Sequence, residues 1–182
     1  DRGVRSISQL ADWSEYYHGR ERFKEAQGSF LAALKTFFKT EYPTADPEEL
    51  VAVSFQGKRV LDLGAGSGGT VYNIRTYAGH DDLQDPYAEA VGIERFPDAV
   101  AKAAKPYIHL ADMAALPYPD ETFDVVLSNY SLGEGNGIGN LLEMIDALRE
   151  GLRVLKPSGF MFLRARDARI PLILEALGVA AV

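Results

Sequence analysis

VLDLGAGSGG, residues 60–69, is the stretch on which the reading of this chain turns. Four residues, apolar but for one acid, run into a segment that is mostly glycine. Gly64, Gly66 and Gly69 satisfy G-x-G-x-x-G, the pattern in which a strand turns tightly into a helix whose N-terminus receives a dinucleotide. A plain strand-to-helix turn needs one glycine, and three so close together cost backbone entropy; the close approach of a ligand accounts for the cluster. Asp62 stands two residues before the first glycine, at the end of the strand. A pyrophosphate placed there meets a like charge, whereas a cationic ligand is attracted.

Outward from this loop, short apolar runs alternate with helical stretches. Residues 59–63, 90–94, 107–110 and 123–129 read as strands, and GFMFL from Gly159 as another. Residues 66–77, 97–104 and 140–155 read as helices, the last with Leu141, Met144, Ile145, Leu148, Leu152 and Leu155 on one face. VLDL and DVVLS are apolar on both faces, as strands covered on two sides must be. The alternation predicts a doubly wound, mainly parallel α/β sheet with right-handed crossovers. Its ligand is expected outside the carboxyl ends of the strands, where strand order reverses.

The composition shifts near residue 57. Residues 6–40 have helical spacing: Leu10, Trp13 and Tyr17, then Phe23, Phe30, Leu31, Leu34, Phe37 and Phe38. Pro43 and Pro47 break the pattern, and Asp46 can cap a short helix with Pro47 at its first position. The expected division is an N-terminal helical cap over residues 1–56 and a cofactor-binding α/β domain over 57–182. The tail RIPLILEALGVAAV reads as one more helix and the start of an apolar strand, so the C-terminal strands look incomplete and the sheet edge there is a place for a partner or a second copy.

The chain has 182 residues, 47% of them hydrophobic, enough for one domain with a substantial core. Its net charge of −7 disfavours nucleic acid and other long polyanions as general partners. Cysteine is absent, which removes thiolate catalysis and Cys-based zinc sites, and no metal site is expected. A reducing cytoplasm suits such a chain. No apolar run reaches the ~20 residues of a membrane span.

Two further strand ends carry side chains that suit a nucleoside. Glu94 closes AVGIE and can accept hydrogen bonds from both ribose hydroxyls, each worth about 1.5–3 kcal/mol for a charged acceptor. It lies 30 residues after Gly64, against about 20 in the dinucleotide fingerprint, the excess being the acidic insertion AGHDDLQDPYAEA. In LADM, Asp112 can accept from an adenine amino group or cap a short helix at 113–116, and Met113 can lie against a purine face. S-adenosylmethionine (SAM) carries an ammonium, a sulfonium and a carboxylate but no phosphate. It suits Asp62 electrostatically, and its carboxylate can use the N–H groups of the loop and helix start.

From about Gly57 to Leu163 the chain resembles the class I SAM-dependent methyltransferases of small-molecule type. VLDLGAGSGG resembles the first motif of that family and VGIE its acidic strand end. LADMAALPYPDETFDVVLSNYSL resembles the adenine-side loop and fourth strand, and LREGLRVLKPSGFMFL the helix, turn and fifth strand that follow. The resemblance implies a Rossmann-like fold and methyl transfer from SAM to a small-molecule acceptor, leaving S-adenosylhomocysteine. It implies that Asp62, Gly64, Ala65 and Gly66 hold the methionine part and Glu94 the ribose, with Arg95 beside it. Asp112 and Met113 hold the adenine, and Asn129 lies near the reactive methyl. The family closes with a sixth and seventh strand for which this chain lacks room. SNYSLGEGNGIGN also lacks the N-P-P-[YF] motif of enzymes that methylate exocyclic amines of bases.

Catalytic residues are less legible. Methyl transfer from a sulfonium is largely a matter of positioning, and a base is needed only for a protonated acceptor. His18 and Tyr130 are the candidates, with Tyr16 and Tyr17 able to contact SAM from the cap; a solvent-facing helix position is the ordinary alternative for His18. His109 reads as packed or hydrogen-bonded in the sheet, and Glu134 as part of a glycine-rich loop that is either a mobile cover or a plain turn before the next helix. Two rival functions remain at this stage. One is a catalytically inactive SAM-binding or scaffold subunit; the other is an NAD-dependent oxidoreductase.

Overall fold

In a computed structural model the structure describes residues 20–133, 138–165 and 167–179, with side chains from residue 30 onward. The described residues form, in chain order, α1 (Arg20–Glu41), α2 (Pro47–Phe55), β1 (Arg59–Leu63), α3 (Gly69–Arg75), β2 (Glu89–Glu94), α4 (Pro97–Ala103), β3 (Ile108–Leu110), β4 (Phe123–Asn129), α5 (Leu141–Val154), β5 (Leu155–Arg164) and α6 (Arg169–Ala176). A single 3₁₀ turn, Tyr77–Gly79, follows α3. The five strands form one sheet in the order β3-β2-β1-β4-β5, and all four pairings are parallel. Strand order reverses between β1 and β4. The expected doubly wound α/β architecture is therefore present.

β1, β2 and β4 bury both faces, and the alternation sorts the apolar residues of the sheet into two cores. Leu61, Leu63, Ile93 and Val126 face the α5 and α6 side, with Met144, Leu148, Ile170 and Leu174. Val60, Ala90, Val125 and Leu127 face the other side, packed with Val71 and Ile74 of α3 and with Phe30, Leu34, Phe38, Val51 and Phe55. The described helices of the N-terminal segment thus lie against the sheet. Phe162 of β5 meets Phe38 edge-on at 6.1 Å and Phe55 at 6.0 Å.

The second face changes character toward the carboxyl ends of the strands. Side chains in register on parallel strands share a face, so Asp62 lies with Gly92 and Leu127. One step further out on that face come Glu94, Asn129 and Arg164. β1, β2, β4 and β5 thus all pass from apolar to polar at the same end of the same face.

Several local expectations are revised. The helix expected from residue 66 begins at Gly69, because Gly64, Gly66 and Gly68 have φ of 74°, 57° and 85°, a left-handed run incompatible with a helix. Residues 113–116 form a turn rather than a helix, with Ala115 N–H donating to the Asp112 carbonyl at 3.1 Å. The last strand does not wait for Gly159: it starts at Leu155, directly after α5, and absorbs Lys156–Ser158 in a bulge where the register jumps from Phe123↔Leu155 to Val125↔Phe160. Asp46 caps α2 as expected, its carboxylate accepting from Glu48 N–H at 2.9 Å with Pro47 at the first turn. Asn140 caps α5, accepting from Leu142 N–H at 2.9 Å. Among the described residues no helix is long and apolar enough to cross a membrane.

Candidate active site

The crevice lies over the β1–β4 switch point, and the glycine loop forms its floor. Ala65 N–H donates to the Ile93 carbonyl at 2.8 Å and Gly68 N–H to the Ala65 carbonyl at 2.9 Å. The loop therefore folds back over β2. That path requires Gly92, where a side chain would run into the Cβ of Ala65 and come within 2.9 Å of Ile108 Cδ1. Gly92 is a site residue not identified from sequence. Its signal is a glycine inside an otherwise apolar strand, which marks another backbone approaching closely.

Gly64 is held from above. A Cβ there would overlap the Cβ of Ser131 and approach Met113 Cε at 3.1 Å. Ser131 is buried; its hydroxyl donates to the Leu63 carbonyl and lies 2.5 Å from the Ser128 hydroxyl. The segment after β4 is thereby tied to the tip of β1. Neither serine stands out in the sequence, since nothing local marks a pair three apart at a strand end.

The acids differ in their surroundings. Glu94, 4% exposed, accepts from Gly66 N–H at 2.9 Å through Oε2 and from Phe96 N–H at 3.0 Å through Oε1. Burial raises its pKa, and the backbone N–H groups of Phe96, Gly66 and Arg95 oppose that rise. Asp62, 2% exposed, lies between Gly92 and Leu127 and has no such donors. Burial and, after it, the Glu94 charge push its pKa well above the usual carboxylate range. Asp62 Oδ1 and Asn129 Oδ1 are buried and have no hydrogen-bond partner among the described residues. Asn129 is oriented only by its Nδ2, which donates to Thr70 Oγ1 of α3 at 3.4 Å.

Two buried acceptor atoms without donors, one on an acid, suit a ligand that brings cationic N–H groups. These two acceptors therefore fit an ammonium such as that of SAM, and a pyrophosphate, which brings only acceptors, fits them poorly.

The other expected residues are distributed around this centre. Met113 is buried with its methyl group toward Gly64. Asp112 is exposed at the rim, its Oδ1 accepting from Ala114 N–H at 2.9 Å. Arg95 is half-buried, 3.6 Å from the Glu143 carboxylate and 5.3 Å from the Phe96 ring centre, and so links the β2 tip to α5. Tyr130 adopts a left-handed φ of 61°, uncommon for an aromatic residue. Its N–H donates to the Arg164 carbonyl at 2.7 Å, and the Arg164 guanidinium lies 4.6 Å from its ring centre. His109 is exposed, its Nδ1 2.9 Å from the Tyr118 hydroxyl. Tyr16, Tyr17, His18 and Glu134 lie outside the described residues. Among the described residues no cluster of His, Asp and Glu is arranged to hold a metal.

With this geometry in view, a family model described as a methyltransferase domain matches residues 54–176, more than half of the chain. Malonyl-[acyl-carrier protein] O-methyltransferase of Halorhodospira halophila is 35% identical over 113 residues, covering 62% of this chain and 36% of that protein. The ubiquinone/menaquinone biosynthesis C-methyltransferase of Azotobacter vinelandii is 33% identical over 110 residues, covering 57% of this chain and 40% of that protein. This chain thus spans about two fifths of the length of the curated relatives it matches. Among solved structures, a SAM-dependent methyltransferase from Aquifex aeolicus superposes with a TM-score of 0.53 at 21% identity, over 81% of this chain and 87% of that one, a likeness of fold.

Proposed function

The chain belongs to the methyltransferase domain family, and from that membership we propose that it transfers a methyl group from SAM to a small-molecule acceptor. The observation that carries this reading is the buried, unpartnered Oδ1 of Asp62 at the switch point of the sheet. A buried acceptor without a donor is costly, and a bound ammonium relieves that cost. On this reading SAM supplies a methyl group already activated on a sulfonium. Asp62 and the Gly64–Gly66 loop hold the methionine end, the loop offering backbone N–H groups to its carboxylate. Glu94, with Arg95 behind it, holds the ribose with lone pairs not used by Gly66 and Phe96. Met113 and Asp112 flank the adenine. Asn129 faces the acceptor side, where its free Oδ1 can orient a donor group of either ligand. On this reading residues 1–56 form a helical cap and residues 57–182 the cofactor-binding part.

The two relatives are named for methylation at oxygen and at carbon. The accepting atom is therefore assigned to the acceptor pocket and not to the shared core. A small-molecule acceptor and the exclusion of nucleic acid agree with the charge of −7. The cysteine-free sequence suits a reducing cytoplasm.

Calorimetry with S-adenosylhomocysteine against NADH tests the reading. Micromolar binding of S-adenosylhomocysteine with no binding of NADH is expected, and the reverse result assigns an oxidoreductase instead. A second reading, a SAM-binding subunit without turnover, is favoured by the open edge of β5. There an apolar groove of about 790 Å³ runs between Phe37 and Phe38 of α1 and Ile170 and Leu174 of α6. Binding without methyl release across acceptors, together with a stable partner complex, would support it.

A further inference from the structure

We propose that ligand binding in this crevice exchanges a proton for an ammonium at Asp62, and that this exchange makes the site select nucleosides bearing an amino-acid ammonium. The inference rests on the reading of the crevice as a SAM site and goes beyond it.

The geometry sets up the exchange. Asp62 and Glu94 occupy the same face of adjacent parallel strands, Asp62 opposite Gly92 and Glu94 two residues further along. Two carboxylates on neighbouring strands, 2% and 4% exposed, disfavour each other's ionisation, and a bound cation relieves this. Their partners decide which one holds the proton. Glu94 accepts N–H groups from Gly66 and Phe96, which favours its anion. Asp62 has an oxygen with no donor among the described residues and is flanked by Leu127 and Gly92, which favours its neutral acid.

No cation among the described residues does the work instead. From β2, the groups facing the pair are Glu94 itself and Arg95, which also faces Glu143. From β4 come Leu127 and Asn129, both neutral, and α3 contributes the neutral Thr70. Arg75 of α3 is turned toward the amino end of the sheet, donating to the Asp82 carbonyl at 2.6 Å and the Ala90 carbonyl at 2.8 Å. Past β3, Asp112 is exposed and held by Ala114 N–H. At the tip of β5, the Arg164 guanidinium stacks on Tyr130.

The step balances simply. An ammonium enters with its own charge, the Asp62 O–H bond breaks, and the proton leaves to solvent. The carboxylate then accepts an N–H from the ligand, and no redox change occurs. A nucleoside without an ammonium leaves Asp62 protonated and gains nothing from it.

Calorimetry at about pH 6.5, where an α-ammonium is charged, performed in two buffers of different ionisation enthalpy, tests the inference. S-adenosylhomocysteine is expected to release protons on binding, and 5′-methylthioadenosine, the same nucleoside without the amino acid, none. The affinity of the former should rise with pH by up to about tenfold per unit through the window, while that of the latter stays flat. Asp62→Asn copies the neutral acid. It should abolish proton release and weaken S-adenosylhomocysteine while leaving 5′-methylthioadenosine binding unchanged, with folding checked by circular dichroism. Should Asp62→Asn fail to fold, the wild-type comparison of the two ligands still decides. Equal enthalpies in both buffers for S-adenosylhomocysteine that does bind would overturn the exchange alone. Failure of S-adenosylhomocysteine to bind at all would overturn the underlying reading and the exchange with it.

Discussion

Asp62 and Glu94 point from the same face of adjacent strands into one crevice, 2% and 4% exposed, yet only Glu94 has backbone N–H donors. Burial lifts both carboxyls above the ordinary range, Asp62 further. An acid whose folded pKa is raised binds more protons folded than unfolded across the interval between its ordinary and its raised value. Stability therefore falls as pH rises through that interval. Asp62→Asn removes the penalty. It should stabilise the ligand-free protein at neutral pH and flatten the fall in its stability as pH rises above the range of a free carboxyl, about pH 4. Urea unfolding at several pH values measures this, and a variant less stable than wild type at pH 7 would contradict it.

Glu94→Gln should weaken S-adenosylhomocysteine by at least about tenfold, since an amide is a poorer acceptor for two ribose hydroxyls. Gln offers one carbonyl oxygen where Glu94 accepts from both Gly66 and Phe96, so one of those N–H groups meets an amide NH2 and the melting temperature should fall, though less than when both acceptors are removed. Glu94→Ala differs: it leaves the Gly66 and Phe96 N–H groups without their acceptor and should also cost about 1–3 kcal/mol of stability. Calorimetry beside thermal melting separates the two variants, and an unchanged dissociation constant for both would remove Glu94 from the ribose site.

Gly64→Ala should be strongly destabilising, by roughly 2–4 kcal/mol, because its φ of 74° disfavours a side chain and the new Cβ overlaps Ser131. Part of that cost comes from the overlap alone. The double variant Gly64→Ala/Ser131→Gly should therefore recover about 1 kcal/mol relative to the sum of the two single changes. Strict additivity in denaturant unfolding would show that the contact with Ser131 is not what constrains the loop.

Asn129→Ala removes an oxygen that has no partner to lose and one long hydrogen bond to Thr70. Stability should change by less than about 1 kcal/mol. Catalytic efficiency with a competent acceptor should drop by about tenfold or more, as expected for a lost charge-assisted contact. A large fall in melting temperature with unaltered kcat/KM would make Asn129 structural.

Much of this architecture is written locally. The runs at 59–63 and 123–129 became β1 and β4 with those bounds, because successive apolar residues at their centres mark a strand covered on both faces. Asp46-Pro47 placed a helix start, since a cap needs only its own side chain and the next few N–H groups. The glycine spacing located the crevice, but the left-handed run through Gly68 delayed α3 to Gly69. The bulge in β5 was equally hidden, because Lys-Pro-x-Gly reads as a stop until the partner strand carries the chain through it.

The sequence by itself determined the strand–helix alternation, the loop and the row of acids at successive strand ends, all set by period and by residue type. Only the tertiary structure decided how those acids differ. Register put Asp62 between Gly92 and Leu127, away from any donor, while the fold-back of the loop gave Glu94 the Gly66 N–H. It also brought Ser131 onto Gly64 across 67 positions of sequence. Desolvation and hydrogen-bond supply depend on which strand lies alongside, and a one-dimensional pattern contains no information about neighbours that only pairing creates.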